Sequence, residues 1–427
     1  MDAKFSPRYL AYVVLVLFLM NIINYMDRSV IGVLVESIKH DLKLSDTQIG
    51  LLNGMAFALF YATAGLFMAR IADLYDRRLL MSVSILIWTI MAAGTGLAAN
   101  FLQFFVARMC VGVGESGAIP TANAMLADYF PPHRRPLAIG IVTAGAFFGI
   151  LAGSALGGYV AQHYGWRMAF VVAALPGLPV AALIYATIKD PPRGGSDDVT
   201  SFDRVTMRGS LGLLLGNRSY VRFVVSGIML TFLMFGMAGW FPAFLMRAHG
   251  LSQSNAGFSF GLALGLGAAG GMIGGGFIST VLARQSLRWL TRMPLYISLT
   301  LFPLFELAIY APTATTSLLL LGTASALCGA SYGPVLAALQ TVIPPNIRAV
   351  GAGLSGLAVS SIGLGGAPLL IGMLSDHFQA TMGAGAGLQR ALAIAALAAI
   401  GVVFSLLSAD RVFSREYLAA RQGTQPG

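Results

Sequence analysis

The chain has 427 residues, of which 57% are hydrophobic and only 10% charged, with a mean hydropathy of +0.77. A soluble protein carries about 25% charged residues, so a soluble globular enzyme is excluded and an integral membrane protein is indicated. The net charge of +10 does not point to nucleic acid, because the basic residues fall in short segments between apolar runs, where they read as a topology signal.

A helix needs roughly 20 apolar residues to cross a bilayer. On that criterion the chain holds twelve spans, near 10–36, 48–70, 79–99, 101–126, 136–160, 166–188, 219–246, 256–282, 291–310, 315–340, 349–374 and 387–409. Met1–Arg8 leads straight into the first span with no small-residue cleavage site after it, so no cleavable signal is expected. The longest polar stretch follows the sixth span, with Pro191-Pro192, Gly194-Gly195 and Asp197-Asp198. It divides the chain into an N-terminal six-helix bundle (1–189), a cytoplasmic linker (190–217) and a C-terminal six-helix bundle (218–427). The expected fold class is all-α integral membrane, twelve helices in two bundles.

With the N-terminus inside, 20 Lys and Arg residues fall on the cytoplasmic side and five on the other. That asymmetry places both termini in the cytoplasm. Three echoes support a repeat: Pro131-Pro132 with Pro344-Pro345, Leu44-Ser45 with Leu251-Ser252, and His163-Tyr164 with His377-Phe378. Their offsets are close to half the chain, which predicts parallel repeats of the major facilitator kind. Ser45 and Ser252 are expected to cap the helices that follow them.

The first span carries Asn24-Tyr25-Met26-Asp27-Arg28. Each ion inside a membrane helix costs about 2.5–3.5 kcal/mol, so Asp27 and Arg28 must face protein or water. The fourth span carries Arg108 and Glu115, two turns apart and therefore on one face. Counted from the outer ends, Asp27, Arg28 and Arg108 lie at similar depth, with Glu115 nearer the bilayer centre. The bland reading is a static ion pair. The sharper one is a transporter cavity in which Asp27 and Glu115 carry protons, while Arg28 and Arg108, with Asn24 and Tyr25, hold substrate or counter-ion. Burial raises the pKa of an acid and a neighbouring Arg lowers it, a balance suited to reversible protonation. Glu306 lies at membrane depth without an obvious partner. Cavity lining in the second half falls to neutral residues such as Tyr332, Thr231 and Met234, most of them expected to serve packing.

Gly145, Gly149, Gly153 and Gly157 form a stripe in the fifth span, read as a close-packing face. Cys110 and Cys328 lie inside spans, so no disulfide framework is expected. The five histidines lie at predicted helix ends or loops. Gly112-x-Gly114 is too short for a nucleotide motif, and no nucleophile triad, metal cluster or phosphate loop is present. The sequence therefore predicts no enzyme, no cofactor and no metal.

The segment Ala69-Arg70-Ile71-Ala72-Asp73-Leu74-Tyr75-Asp76-Arg77-Arg78 resembles the loop signature of major facilitator transporters, Gly-x-Leu-Ala-Asp-Arg-x-Gly-Arg-Arg. Asp73, Arg77 and Arg78 match; Ala69, Leu74 and Asp76 depart, so the turn made by the second Gly must be built another way. The resemblance implies a cytoplasmic gate of Asp73, Arg77 and Arg78, with Arg77 pairing to Asp128. Together with Asn24–Arg28, Gly32-Val33-Leu34 and Arg108-x-x-x-Gly112-x-Gly114-Glu115, this segment resembles the spinster family of that superfamily.

That resemblance covers residues 20–135 and implies a proton-coupled transporter working by alternating access. Its implied substrate is an amphipathic anionic lipid such as a lysophospholipid or sphingosine phosphate. The anion:cation symporter family, which carries small organic anions, is similar in the same elements and is the alternative; a multidrug exporter is the second. The expected partners are substrate, protons and membrane lipids, in a monomer of a bacterial inner membrane.

Overall fold

The computed structural model describes residues 5–131, 134–191, 207–344 and 347–422. Among them the chain is helical throughout, and eleven helices or helix pairs are long and apolar enough to cross a membrane. The exposed large apolar side chains, such as Phe67, Leu137 and Phe277, sit on these segments, as expected where lipid replaces water as solvent.

The chain divides into two compact units: Met1–Thr200 with Leu251–Gly261, and Ser201–Gly250 with Leu262–Gly427. In the first unit the helices are α1 (Pro7–Leu42), α2 (Asp46–Gly50), α3 (Ala56–Leu74), α4 (Arg77–Thr95), α5 (Phe101–Glu115), α6 (Ala118–Tyr129), α7 (Arg135–Tyr164), α8 (Trp166–Ala174) and α9 (Gly177–Thr187). A π-helical stretch, Leu51–Met55, joins α2 to α3. The first span outruns its expected bounds because it is well closed at both ends. Ser6 caps its start, and Lys43 takes a left-handed conformation at its end with φ 53°. Ser45 makes a full capping box with Gln48, and the Ser252 hydroxyl accepts from the Asn255 N–H at 3.4 Å.

The expected fourth span is not one continuous helix. It breaks after Glu115 at Ser116-Gly117 into α5 and α6, of 15 and 12 residues, each shorter than a bilayer crossing requires. At the break Gly117 comes close to Ser84 of α4: a Cβ at that position would lie 2.6 Å from its hydroxyl.

The glycine stripe explains how α1 is held. A Cβ at Gly149 would lie 2.3 Å from the Ile22 carbonyl oxygen, and one at Gly153 would lie 2.4 Å from that of Met26. Only hydrogen allows α7 this close to α1. Asn21 then reaches across, donating to the Val142 carbonyl at 2.8 Å. The first residues of α12 (Gln253–Gln285) belong to this unit. There Gln253 donates to the Val33 carbonyl at 2.9 Å and accepts from Ser37 at 3.0 Å.

The second unit holds the rest of α12 with α10 (Met207–Gly216), α11 (Arg218–His249), α13 (Trp289–Ile309), α14 (Ala314–Val342), α15 (Arg348–Ala358), α16 (Gly366–Met382), α17 (Ala384–Ala396) and α18 (Ala398–Gln422). A second π-helical stretch, Val359–Gly365, links α15 to α16. Helix α10 lies inside the segment read as a polar linker, while residues 192–206 of that segment fall outside the described ones. The core of this unit is apolar, with Phe223, Trp240, Phe241, Phe244 and Phe305 fully buried.

Candidate functional site

The four membrane-depth ions of the first unit form two pairs. Arg28 Nε lies 2.7 Å from Glu115 Oε2, and Arg108 Nη1 lies 3.2 Å from Asp27 Oδ2. Asp27, Arg108 and Glu115 are each exposed by no more than 1%. Depth along the helix axes placed both Asp27 and Arg28 level with Arg108, with Glu115 deeper, and Asp27 does meet Arg108. The long Arg28 side chain instead spans that offset, so consecutive residues of α1 engage partners two turns apart on α5.

Aromatic rings wall the pairs. The Arg28 guanidinium carbon lies 4.7 Å from the ring centroids of both Phe57 and Tyr61, and 5.2 Å from that of Tyr25. Arg108 lies 5.5 Å from the same Phe57 ring, so one ring touches both cations. Such contacts contribute up to about 2 kcal/mol when desolvated. Phe57 and Tyr61 were not singled out from the sequence. Their spacing of four residues places both on one face of α3, and that was the available signal. The approach depends on Gly112, where a Cβ would lie 2.6 Å from the Phe57 carbonyl oxygen and 3.2 Å from the Tyr61 nitrogen. Gly114 does the same against Trp88 of α4 at 2.8 Å. The Gly112-x-Gly114 element is therefore a packing joint on two neighbours.

The pairs leave hydrogen-bonding capacity unused. Asp27 Oδ1, Arg28 Nη2, Arg108 Nε, Glu115 Oε1 and both side-chain polar atoms of Asn24 are buried and have no hydrogen-bond partner among the described residues. Each such atom carries a cost of about 1–3 kcal/mol. Donors and acceptors of both signs thus remain available around one set of buried charges.

A second charged cluster lies where α3 passes to α4. Arg77 Nη1 pairs with Asp128 Oδ2 of α6, and the Arg77 backbone N–H donates to Asp190 at 3.3 Å. Asp76, the departure from the loop signature, supplies what a turn glycine would not. It is the N-cap of α4 and accepts from the N–H groups of Arg78 at 2.9 Å and Leu79 at 3.2 Å. Burial pushes the Asp76 carboxyl up, but the Arg78 guanidinium and those N–H groups outweigh it and hold it below the usual carboxylate range. Arg78 is thereby engaged with Asp76 at 2.8 Å. The Asp73 side chain lies outside the described ones.

In the second unit Tyr332 lines a cavity of about 220 Å³ with Phe223, Gln340, Ser355 and Ser360. Thr231 is buried under Gly363, and Met234 does not line that cavity. Glu306 is half-buried on α13, and Arg390 of α17 is the charge that acts on it. Among the described residues no group of three or more His, Cys, Asp or Glu is placed to hold a metal ion.

A long, apolar chain, predominantly helical over its described residues, with paired ions and unused donors deep inside one bundle defines a polytopic membrane transporter, in which intramembrane ionisable residues mark solute or proton paths. Comparison with known proteins agrees. Residues 17–368 match the Major Facilitator Superfamily. An MFS-type efflux pump of Mycolicibacterium smegmatis is 31% identical over 96% of this chain and 94% of its own. Protein spinster of Drosophila melanogaster is 26% identical over 86% of this chain, which spans 62% of that longer protein. A hexuronate transporter of Bacillus subtilis is 28% identical over 65% of this chain and 66% of its own.

Among solved structures, a bacterial homolog of the human lysosomal transporter spinster, in an inward-facing and unoccupied conformation, superposes with a TM-score of 0.84. It is 28% identical, covering 96% of this chain and 99% of that one. A bacterial spinster homolog in an inward-facing and occupied conformation gives 0.76 at 29% identity, covering 98% of each chain. The chain belongs to the major facilitator superfamily, and within it to the spinster type.

Proposed function

We propose that this chain is a proton-coupled secondary transporter of amphipathic anions, and that Glu115 and Asp27 exchange protons while Arg28 and Arg108 receive the substrate head. The observation that carries the reading is the pair of buried ion pairs, Arg28–Glu115 and Asp27–Arg108, each with a polar atom left over. A buried arginine without a counter-charge is costly. When Glu115 is protonated, Arg28 loses its anion, and a substrate phosphate or carboxylate restores one. When substrate leaves, the carboxylate must ionise again. Proton and anionic substrate thus alternate as the partner of one guanidinium. Asn24 and Tyr25 add a polar contact and a ring beside it. In this reading the bundles 1–189 and 218–427, joined by 190–217, work by alternating access, with both termini cytoplasmic in a bacterial inner membrane and Asp73, Arg77, Arg78 and Asp128 acting as the gate on that side. Aromatic walls beside two cations suit a single-chain lipid with an anionic head, such as a lysophospholipid or sphingosine phosphate.

A second reading is favoured by a different observation. Relatives at 27–28% identity carry the printed names hexuronate, galactarate/D-glucarate and cis,cis-muconate transporters, all for small organic anions. Proteoliposomes of the full chain, given a pH gradient and a panel of lysophospholipids, uronates and dicarboxylates, separate the two. Solute-linked proton movement with lysolipids supports the first reading, and movement with small acids alone replaces it with the second. No coupled movement for any solute, with wild type behaving as Arg28→Ala and Arg108→Ala, would end both.

A further inference from the structure

A groove of about 720 Å³ runs along the start of α1 beside the start of α7, within the first unit. Leu10, Val14, Phe18, Leu137 and Ile141 are among its walls, and Leu137 is 70% exposed. Both helices are long and apolar enough to cross a membrane. The groove follows α1 from Pro7 to Phe18, about 16 Å at 1.5 Å per residue. One leaflet of a bilayer has an apolar depth of about 15 Å, half of a core of about 30 Å.

The two ends of the groove differ. At the end where both helices begin, Arg134 lines the wall and is exposed. Among the described residues no side chain caps α7 there, so the positive end of its helix dipole faces the same place. Phe5 lines this end too and packs edge-on against Tyr129 at 5.0 Å, an aromatic contact of the kind found at headgroup level. Among the described residues no acidic one lines the groove.

We propose that this groove holds one acyl chain of an anionic bilayer phospholipid, with its phosphate on Arg134. The apolar length matches one leaflet, and Arg134, the one cation among the described lining residues, sits where a headgroup lies. A neutral partner would not use Arg134, and a second copy of this chain would need an anion at that end. The lipid is a resident of the protein, so the proposal does not depend on which solute is transported.

The test is native mass spectrometry of the full chain, purified with equal amounts of phosphatidylglycerol and phosphatidylcholine. Wild type is expected to retain one lipid, with phosphatidylglycerol in excess. Arg134→Gln lowers that excess by about fivefold, the worth of one basic side chain beside anionic lipid. Ala11→Trp fills the groove and lowers retention of both lipids by about tenfold or more, since each buried methylene counts. Leu137→Glu, at an exposed position, gives the same loss and keeps the test decisive if Ala11→Trp does not fold. An unchanged phosphatidylglycerol excess in Arg134→Gln, or unchanged retention in Leu137→Glu, overturns the proposal. So does a lipid-free dimer in the wild type that Leu137→Glu dissociates, because a second copy then covers the groove.

Discussion

Arg28 and Glu115 meet at 2.7 Å in the interior of the first bundle, although Arg28 lies on α1 and Glu115 closes α5. The Arg28 guanidinium also rests against Phe57 and Tyr61. Removing either partner therefore leaves a buried charge without its hydrogen-bonded counter-ion.

Arg28→Ala and Glu115→Ala are each expected to destabilise by about 3–5 kcal/mol, the usual penalty for half a buried pair. The double variant is expected to be more stable than the sum of the two losses, because no orphan charge remains. Thermal unfolding of the four proteins measures the coupling. Additive losses would mean that the pair contributes nothing as a pair.

Glu115→Gln keeps the side-chain shape and removes the ionisable group. On the proposed mechanism, substrate binding persists while its pH dependence flattens. Binding isotherms across pH 5–8, beside Asp27→Asn, decide which acid carries the proton. A pH profile identical to wild type in both variants removes these residues from coupling.

Gly149→Ala should cost about 1–3 kcal/mol, the range for overpacking, because its Cβ would lie 2.3 Å from the Ile22 carbonyl oxygen. Gly140 is the control on the same helix. Nothing lies within 4 Å of a Cβ there, so Gly140→Ala should be neutral or stabilising by a few tenths of a kcal/mol. Equal melting temperatures for the two variants would contradict the packing account.

Asp76→Ala removes the cap of α4 and should cost about 0.5–2 kcal/mol at neutral pH. The carboxyl titrates lower in the folded chain than in the unfolded one. Its contribution is therefore complete above the ordinary carboxylate pKa of about 3.9 and fades as pH falls through the lower folded value. The gap in melting temperature between wild type and Asp76→Ala should accordingly be wide at pH 7 and narrow below pH 4. A gap independent of pH would assign the cost to shape alone.

Much of the molecule is written in the sequence by itself. Composition fixes the solvent, because a chain this apolar is satisfied only by lipid, and in lipid only helices and closed barrels pair every backbone group. The spans follow from runs of apolar residues. The importance of Asp27, Arg28, Arg108 and Glu115 follows from the cost of any ion at that depth. What only the tertiary structure decided is which ion meets which. Rise per residue gives depth along one helix, but pairing across helices depends on side-chain reach and rotation, and these set Arg28 on Glu115 and Asp27 on Arg108. The break at Ser116-Gly117 and the ring wall of Phe57 and Tyr61 have the same origin. Each depends on how closely two distant segments approach, and that distance is set by glycines whose purpose is visible only when the neighbouring backbone is in place.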